Sequence, residues 1–259
     1  MNIRKIYVGL IVLFSMGLFY EWSSDGKLLE QSAHLELAMA ENAEPSVSDD
    51  GEYVYIENDL LKIKIAIKTG SIVESRLKKY GVENIDGSLG SRVLGSDSKG
   101  LFKYYFKSGF TGQKTKPSYI LGSFGDRYVL LEDVDLGITK EISFLPNTYE
   151  LSIKDSSIKG ETGKAFAAFY RTDGVSLDMK TAFSQGGMMN NSSYQGAALS
   201  TDADPYETTR LRSLDKPISV LSRSGWVSFI EKYFFAALIG AEDYVYNYFV
   251  EPAESGVYR

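Results

Sequence analysis

The chain reads as an all-β protein built from antiparallel sheets, with one late helix and an apolar anchor ahead of the β-domain. Three observations carry that reading. Aromatic residues make up 13% of the 259 residues, with 18 Tyr and 14 Phe, and short Val/Ile runs recur; such side chains fit a pleated, half-buried surface. Apolar and polar residues alternate with a period of two in several stretches. Gly, Asp and Asn clusters separate those stretches as turns do, an order that suggests an antiparallel sandwich and not a βαβ fold.

The first element is Ile6–Tyr20, an uncharged apolar run behind Arg4 and Lys5 with Trp22 just beyond it. The flanking charges predict a cytoplasmic N-terminus, and Tyr20 and Trp22 fit the far interface. Residues 1–22 are therefore expected to form a transmembrane anchor in the lipid bilayer. A cleaved signal peptide is the competing reading, because the run is short for a span. The Ala38-Met39-Ala40 pattern lies far behind it, after five charged residues. Residues 23–52 read as a polar linker, with Leu28–Ala40 as a weak helical pattern. The β-domain is expected over 53–259.

Within that domain Leu61, Ile63, Ile65 and Ile67 alternate with Lys62, Lys64 and Ala66, which predicts a half-buried strand. Gly70 offers a turn and Ile72–Tyr80 returns. Tyr128–Leu131 is a short strand. Leu136, Ile138, Ile142 and Phe144 share a face on which Lys140 is the exception. Leu145-Pro146-Asn147-Thr148 is a turn by composition, and Tyr149, Leu151 and Ile153 begin the returning strand. Ala165–Arg171 and Tyr244–Val250 are further strands. Trp226, Phe229, Ile230, Tyr233 and Phe234 recur at helical spacing, predicting a helix over Trp226–Ala237. The last residues show no closing strand, so the chain is expected to be a C-terminally truncated product with an open sheet edge.

Residue chemistry narrows the function. There is no Cys, which removes disulfides, thiolate metal sites and a cysteine nucleophile. The one His, His34, falls in the linker, so acid–base catalysis inside the β-domain would have no imidazole. The net charge of −6 argues against nucleic acid or an anionic membrane surface as a partner. Glu132, Asp133 and Asp135 read as a solvated strand face before a cation site, since no calcium-loop pattern accompanies them. Lys159–Lys164 resembles a phosphate loop only faintly and reads as a hairpin turn. Gly186–Asn191 reads as a surface loop, with a Met-rich contact as the alternative. The Trp226–Phe234 stripe is expected to face the core. A partner contact is then placed around Trp226, Glu231, Lys232 and Tyr233. No cofactor or metal is expected.

Several blocks, in order, resemble one family. They are IENDLLKIKIAIKTGSIVESRLKKY, SRVLG followed by KSGFTG, TKEISFLPNTYELSIKDSSI, SYQGAALSTDADPYETTRL and GWVSFIEKYFFAALI. Together with the anchor and acidic linker they resemble the start of the YidC membrane-protein insertases of Gram-negative bacteria. Gly240 departs from the family, where Pro often stands. The resemblance implies a galactose-mutarotase-like β-super-sandwich in the periplasm, tethered to the inner membrane. It also implies work in the insertion, folding and assembly of client membrane proteins, alone or with the Sec translocon. The insertion groove would lie outside this chain. A membrane-tethered carbohydrate-binding or carbohydrate-modifying protein is the alternative, and a pocket of aromatics and carboxylates would favour it.

Overall fold

In the computed structural model the described residues are 46–47, 51–80, 91–96, 103–158, 163–172, 196–230, 234–241, 244–252 and 257–259. The anchor Ile6–Tyr20, the Leu28–Ala40 pattern, His34 and the Gly186–Asn191 loop lie outside them. Among the described residues no helix is long and apolar enough to cross a membrane.

What is described is almost wholly antiparallel sheet. The largest sheet has eight strands: β1 (Ser46–Val47), β2 (Tyr53–Glu57), β3 (Leu61–Ala66), β4 (Ser71–Leu77), β5 (Ser91–Ser96), β6 (Lys103–Phe110), β11 (Ala165–Thr172) and β18 (Val257–Tyr258). A second sheet is a meander of β7 (Ile120–Gly125), β8 (Tyr128–Asp133), β9 (Ile138–Phe144) and β10 (Leu151–Ser157). A third orders β13 (Glu207–Arg210), β12 (Gly196–Thr201), β15 (Gly225–Ile230) and β16 (Phe235–Ile239). β14 (Ile218–Ser222) pairs with β17 (Tyr246–Val250). Two short 3-10 turns, Ile67–Thr69 and Leu211–Ser213, are the helical exceptions.

The alternation predicted over Leu61–Ile67 puts Leu61, Ile63 and Ile65 inward and buried. Val54 and Ile56 face inward beside them, and Val129, Leu131, Ile138 and Ile142 from the meander join the same core. Backbone bonds tie the first two sheets at their margins: Glu57 N–H donates to Asp126 O (2.8 Å) and Tyr119 N–H to Lys68 O (3.1 Å). Asn58 is a buried corner. Its Oδ1 accepts from the amides of Leu60 and Leu61, and its Nδ2 donates to Thr148 O. The expected turn at Leu145–Thr148 forms, with Asn147 in the left-handed region at φ 57° that Asn tolerates.

Four expectations are corrected. The last residues do hold a closing strand, since β18 pairs with β11 at Arg171 and Thr172. The late helix does not form over the described residues: Trp226–Ala237 takes in most of β15 and the start of β16, which pair antiparallel with Phe229 opposite Ala236 and Val227 opposite Leu238. The three-four spacing arose because both faces of β15 carry large apolar groups. Trp226 and Ile230 project to one side, Val227 and Phe229 to the other, and such aromatic and branched residues pack better on a sheet. Lys159–Lys164 does not join a hairpin, because β10 pairs with β9 and β11 with β6 in different sheets. Asp133 is not solvated; it is buried, accepting from the amides of Ser118 (2.8 Å) and Leu136 (2.9 Å) as the cap of a turn.

Candidate interaction surface

Two sequence blocks meet in space at the third sheet. Asp202, just past β12, reaches the Arg223–Ser224 turn before β15. Its carboxylate accepts from Ser222 Oγ (2.9 Å), from Arg223 N–H (3.1 Å) and from Ser224 Oγ. Ser222 Oγ in turn accepts from the Asp202 amide (3.0 Å). The hydroxyl donors, with the Arg223 amide, hold the Asp202 carboxyl down to about 2. Gly225 follows at φ 142°, and a Cβ there would lie 2.1 Å from the Ser200 carbonyl oxygen. Only glycine lets β15 start this close to β12.

Those constraints place Trp226. It pairs with Ser200 on one side and Ile239 on the other, half-buried, with Tyr206 6.2 Å away between ring centroids. Ile239, Phe235 and Tyr206 are each more than three-fifths exposed. β16 is the last strand in this sheet's order, so Phe235 and Ile239 line that margin beside Trp226, and Tyr206 reaches Trp226 from the β13 side. Apolar patches of this kind mark interaction sites more often than isolated surface residues do. Gly240 closes the margin: a Cβ there would fall 2.4 Å from Tyr248 Oη and 2.5 Å from the Tyr246 ring. Of the four residues predicted to contact a partner, Trp226 stands on this margin. Glu231, Lys232 and Tyr233 lie outside the described residues.

The most chemically loaded cluster is elsewhere and inside. Lys140, the exception on its apolar face, stays inward with no exposed side-chain surface and pairs with Asp155 Oδ1 at 2.6 Å. Lys140 Nζ also donates to Ser108 Oγ (2.5 Å) and Ser108 O (3.1 Å), and Ser108 Oγ donates to Asp155 Oδ2 (2.5 Å). The cluster bridges β6 of the large sheet to β9 and β10 of the meander. Burial pushes the Lys140 ammonium below the usual lysine range, and Asp155 pulls it back. Burial, then the charges of Asp155 and Asp133, push the Tyr119 phenol up.

A Ser beside a Lys can be a nucleophile with its base. Here Lys140 is itself a donor to Ser108, and the serine proton goes to the carboxylate. Lys140 is sealed and Asp155 one-tenth exposed, so neither partner of Ser108 stands open to solvent. The cluster is a bridge between sheets. Among the described residues no group of three or more His, Asp or Glu could hold a metal. A crevice between Ala198, Thr208, Ile218 and Val250 has about 10 Å³, room for one water and too little for a sugar ring.

Sequence reasoning missed Asp155, Ser108 and Asp202. Asp155 was within reach: a hairpin closing at Phe144 and Leu151 sets Lys140 opposite Asp155 by counting back along both strands. Asp202 carries no such signal, since its partners are about twenty residues on.

Comparison with known proteins points one way. A family model described as the YidC periplasmic domain matches residues 127–259. A protein of Pseudoalteromonas translucida named membrane protein insertase YidC is 26% identical over 92% of this chain and 48% of its own length. One of Coxiella burnetii with the same name is 24% identical over 77% of this chain and 37% of its own. One of Pseudomonas putida, also so named, is 27% identical over 82% and 40%. The chain thus spans less than half the length of these curated relatives.

Proposed function

The chain belongs to the family of YidC periplasmic domains, and on that premise we propose that it serves a membrane-protein insertase as its anchor and periplasmic domain. The single observation that carries the reading is the match over 127–259, a span whose described residues are mostly antiparallel strands. In this reading Ile6–Tyr20 crosses the inner membrane, the N-terminus is cytoplasmic and the sheets lie in the periplasm. The domain does no bond-making. It assists client membrane proteins and contacts Sec translocon components, and the Trp226 margin with Glu231, Lys232 and Tyr233 is its contact. A groove for the client would be built by other parts of the protein.

The test is complementation. Cells depleted of their own insertase receive the full coding region from which this chain derives, and insertion of a newly made membrane protein is followed by protease protection. Restored insertion supports the reading; none, with the protein present in the membrane, overturns it. A photoreactive residue at position 226 should then crosslink to a Sec component, and labelling of lipid alone would remove the proposed contact.

A further inference from the structure

The outer face of the large sheet has a charge at odds with the rest of the chain. By strand alternation the side chains opposite the core are Tyr53, Tyr55 and Glu57 on β2, Lys62 and Lys64 on β3, and Glu74 and Arg76 on β4. Arg92 on β5, Lys103, Tyr105 and Lys107 on β6, and Tyr170 on β11 continue it. Cations outnumber acids there, in a chain of net charge −6. Both acids are occupied: Glu57 pairs with Lys62 (3.4 Å) and Lys78 (3.2 Å), and Glu74 with Arg76. Lys64 and Lys107 instead sit over tyrosines. Lys64 Nζ is 3.8 Å from the Tyr53 ring and 5.6 Å from Tyr55. Lys107 Nζ is 5.1 Å from Tyr105 and 5.7 Å from Tyr170, whose rings stack at 5.3 Å.

The two Lys–Tyr groups are neighbours on the sheet. Ile65 pairs with Ile72 and Ile72 with Phe106, so Lys64 lies level with Tyr105 and Lys107 level with Ala66, and the two lysines are two strand spacings and two residues apart, roughly 12 Å. A sheet face that only needs to stay wet intersperses both signs. The outer face of the meander does so, with Glu132, Glu141 and Lys154. Tyrosine and lysine together suit a layer that is anionic at its surface and apolar beneath, since both present an apolar body and a polar tip.

We infer that the Tyr53–Lys64–Lys107–Tyr170 face of the large sheet docks on a bilayer surface bearing anionic headgroups. The charge is spread over several strands of one sheet face, which fits a field of headgroups better than one shaped partner. The chain as a whole carries −6, so attraction through this one face would also set how the domain lies. Choosing lipid over an acidic protein rests on the membrane tether proposed above.

The experiment uses the full chain with a single environment-sensitive dye, which the absence of cysteine makes clean. The dye is placed by Ser96→Cys, on β5 opposite Lys103, or by Ser152→Cys on the outer face of the meander. Each protein is reconstituted into vesicles of phosphatidylcholine alone or an equimolar mixture with phosphatidylglycerol, and quenching by spin-labelled lipid is read. Flotation with phosphatidylcholine alone tests the tether; the added quenching with phosphatidylglycerol tests the face. The expected result is anionic-lipid-dependent quenching at position 96 and not at 152. It should be lost at about 1 M salt, where screening shortens to about 3 Å. The Lys64→Glu, Lys107→Glu double variant, first shown to melt as the parent does, should lose it on the order of tenfold. No dependence on phosphatidylglycerol, equal quenching at both positions, or an unaffected double variant overturns the inference. A position-96 dye that responds to soluble polyglutamate but not to phosphatidylglycerol overturns it in favour of an acidic protein partner.

Discussion

Asp155 and Asp202 each organise a junction between strands, but one is mostly buried against a sealed lysine and the other stands in water. Asp155 meets an ammonium and a hydroxyl between two sheets. Asp202 meets two hydroxyls and a backbone amide at a surface turn. Removing Lys140 from the buried site leaves a charge that water reaches poorly, and that desolvation cost dominates. At the exposed site water replaces a lost partner, so the carboxylate's affinity for protons changes more than the fold does. Burial, more than the number of bonds, sets what a carboxylate is worth.

The largest effect should come from Lys140→Met, which strands Asp155. We expect about 3–5 kcal/mol lost in urea unfolding. The comparison breaks if the double variant Lys140→Met, Asp155→Leu is as unstable as the single one; it should recover most of the loss, because an apolar pair replaces the ion pair.

Next is Gly225→Ala. Its Cβ would meet backbone, not a flexible chain end, so β15 must draw away from β12 at a cost of about 1–3 kcal/mol. Hydrogen exchange at Trp226 and Val227 should quicken while the meander amides stay protected. Uniform loss of protection would mean the third sheet does not yield by itself.

Gly70→Ala sharpens the link to Lys140. Gly70 is left-handed at φ 62°, and a Cβ would lie 2.6 Å from Lys140 Cε. The cost should be about 1–2 kcal/mol from the backbone, plus the displacement of the lysine stem. In the Lys140→Met background the second part should shrink, and a double-mutant cycle measures by how much.

The smallest effect is at Asp202. Its folded carboxyl titrates at about 2, below the ordinary 3.8. A depressed folded value means stability that is fully present above about pH 4 and is lost as pH falls towards 2. Asp202→Asn should flatten that part of the stability profile and change little at neutral pH. A carboxyl carbon that titrates near 3.8 by NMR would remove the exposed half of the comparison.

Much of the β-domain was readable because period-two burial is local. Leu61–Ile65 and the Phe144–Leu151 hairpin each declare a face or a register within a few residues. The Trp226 segment misled for the same reason. A strand apolar on both faces shows no alternation, and its three-four spacing then mimics a helix. The candidate contact was readable at Trp226 as an aromatic position. Its neighbours Tyr206, Phe235 and Ile239 were not, since they come together only through strand pairing.

By itself the sequence determined the antiparallel β class, the hairpin that seats Lys140 opposite Asp155, and the resemblance that led to the family. These rest on local period, turn chemistry and ordered motifs. Only the tertiary structure decided that β10 and β11 part into different sheets, that Asp202 closes a turn twenty residues away, and that lysines from separate strands gather on one face. Those depend on which strands pair across long loops. Pairing is settled by the burial of whole faces together, a quantity that no single stretch of sequence holds.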